Sequence, residues 1–219
     1  MDIDQLLSST RSARRTLDLG AAVDLGELGE CLQLALHAAN GTNQQSWRWL
    51  VVADAERRRQ IAALYAAGYE SMTGGRFADS LDQASDFGKL MSSTEWLVDH
   101  LHQVPVFVIP CYQPYLPDDP DGDGQFQTAT LYGSIFPAVW NLQLALRSRG
   151  YGSCITTLHL LRAAEVAALL DIPDGFVQGC LLPVGRLRTN SLRPTPRKPL
   201  AEVTALDGWD GRPLTEADR

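Results

Sequence analysis

Three guanidinium groups stand within five residues at Arg11–Arg15 (RSARR), just ahead of the first strongly periodic stretch of the chain. Fixed charge and free backbone N–H groups at such a place can cradle a phosphate. On charge alone an ordinary solvated basic run is the commoner reading. A second constellation, Asn40–Trp47 (NGTNQQSW), gathers small and amide side chains between two regular elements. Amides both donate and accept, which suits a polyhydroxylated ligand with a heteroaromatic edge; a polar loop with Trp47 plugging the core is the plainer alternative. Other chemistries find little support. Cys31, Cys111, Cys154 and Cys180 are scattered singly, with no CxxC pair and no histidine at ligand spacing, so no metal site and no disulfide framework is expected. His37, His100, His102 and His159 carry no motif, and Cys154 has no neighbouring resolving cysteine or base. Asp118, Asp119, Asp121 and Asp123 mimic part of a calcium loop, but no Glu follows at the twelfth position.

These groups need elements to hold them. Leu25, Leu28, Leu32, Ala35 and Ala39 recur at helical spacing, with Asp24 and Glu27 as a capping-box variant and Asn40-Gly41 as the stop, which predicts a helix over 24–39. Trp47–Ala53 reads as a strand and Asp54 as the cap of a helix through Tyr65. In residues 66–104 the glycines Gly68, Gly74, Gly75 and Gly88 interrupt weak periods, so 66–126 is expected to hold a variable lid. Pro105–Cys111 is a buried strand candidate and 114–124 an acidic loop. Ala129–Arg149 is a long helix with Pro137 inside it, ended by Gly150-Tyr151-Gly152; Cys154–Leu158 is a short strand, Arg162–Leu170 a helix and Gly179–Val184 a third strand. Helices and strands mix without strict alternation, which favours an α+β sandwich over a doubly wound parallel sheet.

With 219 residues, 45% of them hydrophobic, the chain is the size of one large domain, expected to span 1–219. A net charge of -7 argues against a protein that coats nucleic acid. No apolar leader or membrane-length run occurs, so a cytoplasmic protein is expected.

Five segments, in order, resemble the nitroreductase family of FMN-dependent oxidoreductases. Arg11–Leu17 is similar to the family's Arg-Arg-Ser-x-Arg-x-Phe, and Asn40–Trp47 to its Ser-x-x-Asn-x-Gln-Pro-Trp. Gly150–Ser153 is similar to Gly-Leu-Gly-Ser, 169–185 to Leu-x-Ile-Pro-x-Gly…Pro-x-Gly, and Arg197–Leu200 to Arg-Arg-Pro-Leu. The resemblance implies a three-layer sandwich with a mostly antiparallel sheet flanked by helices, in an obligate homodimer with FMN at the subunit interface and NAD(P)H as donor. It implies that Arg11 and Arg197 hold the phosphate, with Ser12 and Ala13 helping through their backbone. Arg15 would face the ribityl chain or the N1 side of the ring, where positive charge favours the reduced cofactor. Asn40, Gly41, Thr42, Asn43 and Gln45 would serve the partner's cofactor, and Thr156, Thr157 and Leu158 would pass along one ring face. Asn40, Ala13 and Leu17 depart from the family's Ser, Ser and Phe; none of these removes a charge. The tail, 200–219, would reach over the partner subunit. Tyr69, Phe77, Phe87, Phe126 and Tyr132 are the aromatic candidates for substrate stacking. The expected reaction carries electrons from NAD(P)H to a nitroaromatic, quinone or similar small acceptor. A specialised dehydrogenase, a dehalogenase, a deazaflavin-dependent enzyme and a non-catalytic FMN-binding protein are the alternatives.

Overall fold

The computed structural model describes residues 2–115, 122, 124–189, 192–215 and 218; the aspartates of the acidic loop lie outside the described residues. Among the described residues the α-helices are α1 (Ile3–Ser9), α2 (Leu25–Ala35), α3 (Ala55–Thr73), α4 (Asp86–His100), α5 (Gln125–Ser148) and α6 (Ala163–Leu169). The strands are β1 (Leu17–Asp18), β2 (Trp47–Val52), β3 (Val106–Tyr112), β4 (Tyr151–Ser153), β5 (Val177–Gln178) and β6 (Leu182–Leu187).

β3 organises the molecule because every one of its residues is buried. Alternation along a strand sends its side chains to opposite faces. Phe107, Ile109 and Cys111 enter one core with Ile61, Tyr65 and Tyr69 of α3 and Leu97 and Val98 of α4. Val106, Val108 and Tyr112 enter a second core with Leu28 and Cys31 of α2 and Ile135, Val139 and Leu142 of α5. The result is the expected three-layer α+β sandwich. β2 pairs with one side of β3, Trp47 opposite Tyr112 and Val52 opposite Phe107; β5 and β6 pair with the other, and β6 also carries β1 and β4. All of these pairings are antiparallel.

Several element boundaries depart from the sequence reading. Asp24 caps α2, accepting from the N–H groups of Gly26 and Glu27, but the helix ends at Ala35. Glu27 does not close a capping box. Its carboxylate accepts from the Tyr151 hydroxyl and, at 2.9 Å, from Arg186, while the Asp24 N–H donates to the Tyr151 oxygen at 3.2 Å. A cationic donor outcompetes a backbone N–H for a carboxylate. The left-handed residues are Thr42, Asn43 and Gln45, with φ of 49°, 54° and 50°, and not Gly41. Gly41 is closely packed instead: a Cβ there would displace the Tyr115 hydroxyl. In the second half the short strand is 151–153, not 154–158, where Thr156 makes only an isolated bridge to Leu181. The last strand runs through Gly185 to Leu187.

The largest difference lies in 66–104. α3 continues to Thr73 and α4 fills 86–100. The buried positions Ile61, Ala62, Tyr65, Gly68 and Tyr69 form a regular helical face, obscured in the sequence because Gly68 reads as a breaker. It is a packing glycine: a Cβ there would meet the Leu158 carbonyl oxygen. Between the helices, 74–85 is tied down by Glu95, which accepts from the Tyr69 hydroxyl at 2.6 Å and from the N–H groups of Phe77 and Ala78 at 2.9 and 3.1 Å. Burial pushes the Glu95 carboxyl up, but these hydrogen bonds and nearby Arg76 outweigh it and leave its pKa below the usual range. A depressed carboxyl contributes stability above its unfolded pKa and loses it as pH falls through the folded one. Glu95→Gln is therefore expected to cost about 1 kcal/mol at neutral pH, after allowance for partial exposure. Thermal melts against pH should show a flatter acid limb in the variant than in the parent.

Each of the four cysteines is free and buried. Burial raises the Cys111 and Cys154 thiols to about 11 and Cys180 to about 12.

Candidate functional site

The segment between α1 and β1 is pinned where the Ala13 N–H donates to the Ser153 carbonyl at 2.9 Å. Ala13 is 1% exposed and lies so close to Gly152 that a Cβ on that glycine would overlap it. With Ala13 facing inward, Arg11, Ser12 and Arg14 line one cleft. Its other walls are Asp86, Lys89, Leu90 and Ser93 of α4, and Thr195, Pro196 and Arg197 from the far end of the chain. Arg11 and Arg197, expected together, are thus brought together by the fold. Lys89 is 3.9 Å from Asp86, and no acid among the described residues forms an ion pair with Arg11, Arg14 or Arg197. Four cations facing one carboxylate make a site for a multiply charged anion, held by forked donors from distant parts of the chain.

Arg14 and Arg15 take different places. Arg15 is exposed and donates to the Ser92 carbonyl and hydroxyl on α4, at 3.0 and 2.8 Å. Arg14 is half-buried, lines the cleft and lies near enough to the Cys154 thiol for its charge to counter part of the rise that burial imposes on that group. The sequence reading names Arg15 and not Arg14; three arginines in five residues leave that choice open by one position. The inward-facing Ala13 between Ser12 and Arg14 is the signal that could have set it.

Asn40–Gln45 forms a separate structure. Gly41–Asn43 is one 3-10 turn; the Gln45 N–H donates to the Asn40 side-chain oxygen at 3.0 Å and the Gly41 N–H to Ser134 of α5 at 2.9 Å. Asn40 and Gln45 line a small pocket with Trp47, Tyr112, Tyr115 and Leu131, which shares no residue with the cationic cleft. Thr156 and Leu181 exchange backbone hydrogen bonds at 3.0 and 2.8 Å; Thr157 is exposed and Leu158 opens a 3-10 turn packed on α3.

None of the five aromatic candidates lines the cationic cleft. Tyr69 is buried in the core, bonded to Glu95, and Phe77 packs against the same core. Phe87 and Phe126 are exposed, and Tyr132 sits against Tyr112 and Phe136 on α5. His159 is fully buried, with neither ring nitrogen bonded among the described residues, and burial lowers it to about 4. Among the described residues no cluster of metal-ligating side chains occurs, and no helix is long and apolar enough to cross a membrane.

The model of the nitroreductase family matches residues 7–186, and the chain belongs to that family. Its members are oxidoreductases. No curated protein matches the chain. Among solved structures it is similar to an iodotyrosine deiodinase bound to FMN and 3-iodo-L-tyrosine, with 22% identity, a TM-score of 0.69 and coverage of 95% of this chain and 100% of the other. It is similar to the FMN- and NADPH-dependent nitroreductase NfnB from Sphigopyxis sp. strain HMH, at 19% identity and TM-score 0.70 over 95% and 100% of the two chains. A BluB-like flavoprotein from Clostridium difficile 630 matches at 20% identity and TM-score 0.69 over the same shares.

Proposed function

We propose that the protein is a homodimeric FMN-dependent oxidoreductase that moves electrons from NAD(P)H to a small organic acceptor such as a nitroaromatic or quinone. The observation that carries this reading is the convergence of Arg11, Arg14, Lys89 and Arg197 on one cleft. Their net charge, four cations less Asp86, suits a phosphate monoester together with the negative charge a reduced flavin acquires. Bound FMN supplies the redox chemistry, taking two electrons from the donor and passing them on. The protein supplies the rest. Arg11 and Arg197 grip the phosphate, with Ser12 beside them. Arg14, half-buried and so less screened, is the cation that favours the reduced ring; Arg15, turned to Ser92, would act from the rim. Thr156–Leu158 borders the ring face.

The homodimer is supported by α5. Its inner side is buried, yet Phe126, Ala129, Gly133, Pro137 and Trp140 are exposed at spacings of three and four on the outside, with Phe126 66% and Trp140 38% exposed. A helix apolar on both sides is one that an assembly buries. The second copy of the chain is the occupant, because the Asn40–Gln45 loop is bonded to the same helix through Ser134 and has no part in its own chain's cationic cleft.

The test is a visible spectrum of the purified protein followed by anaerobic addition of NADPH and NADH. A flavin spectrum bleached by either nucleotide is expected. A flavin that stays oxidised refutes the nicotinamide donor, and a protein that takes up no FMN refutes the whole reading. Within it, Arg14→Gln is expected to keep FMN but slow its reduction by roughly 10- to 100-fold in stopped flow, the scale of one lost charge-stabilising donor. Arg15→Gln should change the rate by less than about threefold, as expected for an exposed group.

A further inference from the structure

α3 touches the segment 156–158 at two points. Gly68 lets the helix backbone approach the Leu158 carbonyl, and one turn earlier the Tyr65 hydroxyl lies 2.6 Å from Thr156 Oγ1. Tyr65 is 1% exposed, and among the described residues Thr156 Oγ1 is the group its hydroxyl bonds. A phenol buried this deeply keeps its proton at working pH, its pKa lying at about 12. That proton needs an acceptor, since an unmet buried donor costs the full desolvation penalty. Arg14 and Cys154, the other polar groups that interact with Tyr65, do not provide one: Arg14 has no acceptor and a thiol is a weak one. Tyr65 therefore donates to Thr156. The Thr156 backbone is already committed to Leu181 in both directions. Among the described residues Thr156 Oγ1 bonds no group besides Tyr65, so its hydroxyl proton is left for a group outside the core, and Thr156, half-buried, has an outlet to reach one.

We infer that Tyr65 is a positioning residue, which turns the Thr156 hydroxyl proton toward the flavin ring and thereby sets how readily the bound cofactor is reduced. This rests on the FMN reading above. A hydroxyl that accepts one hydrogen bond becomes a stronger donor in the next, so the Tyr65–Thr156 pair acts as one unit. The direct contact belongs to Thr156, and Tyr65 acts through it.

The experiment is a spectral redox titration of the full-length, FMN-loaded protein against a reference dye, on Tyr65→Phe, Thr156→Val, Thr156→Ser and the Tyr65→Phe/Thr156→Val double variant. FMN affinity and apo-protein melting are measured in parallel. Tyr65→Phe and Thr156→Val are each expected to change the ratio of reduced to oxidised flavin at fixed dye poise by roughly fivefold, the scale of one net hydrogen bond. The double variant should be no further displaced than Thr156→Val alone, and Thr156→Ser should behave as the parent. A parental ratio in either single variant, or additive shifts in the double, overturns the inference, as does a shift reproduced in full by Thr156→Ser. A parent protein that binds no FMN overturns the functional reading as well and is recognised before any variant is titrated.

Discussion

Arg11→Ala/Arg197→Ala is expected to be purified folded and colourless. Both side chains are exposed, and their absence leaves neither core disturbed. Each charge-assisted contact with a phosphate contributes about 1.5–3 kcal/mol, so losing two raises the FMN dissociation constant by roughly 10²- to 10⁴-fold. Equilibrium titration of the apo protein with FMN, followed by flavin fluorescence, measures this directly. Either single variant should fall between the parent and the double. The melting temperature of the apo form should stay within a degree or two of the parent, because exposed arginines away from ion pairs contribute little to folding. An unchanged affinity in the double variant would place the cofactor elsewhere and sink the assignment of the cleft.

The second large effect concerns assembly. Trp140→Glu puts a charge in the outer apolar stripe of α5, at a place the proposed homodimer buries. A central tryptophan at an interface is worth about 2 kcal/mol or more, and burying an unpaired carboxylate adds to the loss, so dimer dissociation should strengthen by at least roughly 30-fold. Sedimentation velocity at micromolar concentration is expected to show a monomer. The same sample should have lost its flavin, although no residue of the cationic cleft has been touched, because Asn40–Gln45 would no longer be supplied by the partner. A monomeric variant that retained FMN at parental affinity would show that one chain suffices.

The core strand was the easiest part to read: Pro105–Cys111 is expected as a buried strand, and Val106–Tyr112 is one, buried along its whole length between the two helical layers. Caps were legible where the side chain has one partner to choose, as at Asp24 and Asp54. They were misread where a distant group competes, as with Glu27, whose partners Tyr151 and Arg186 come from another part of the chain. Residues 66–104 were misjudged for a related reason. A glycine that lets two backbones approach looks, in one dimension, the same as one that breaks a helix, and only Leu158 opposite Gly68 tells them apart. At the site, the family likeness already pairs Arg11 with Arg197, whereas Arg14 rather than Arg15 enters the cleft because of the Ala13–Ser153 hydrogen bond, which no spacing reveals.

The buried thiols offer a clock for the molecule's breathing. With pKa values of about 11 or higher, Cys111, Cys154 and Cys180 hold on the order of one thiolate in ten thousand molecules or fewer at neutral pH, and an alkylating reagent cannot reach them until the structure opens. Cys111 and Cys154 belong to the core under α3 and α4, while Cys31 and Cys180 belong to the core under α2 and α5. The order in which a mass spectrometer finds the two pairs modified therefore reports which of the two helical layers lifts from the sheet first.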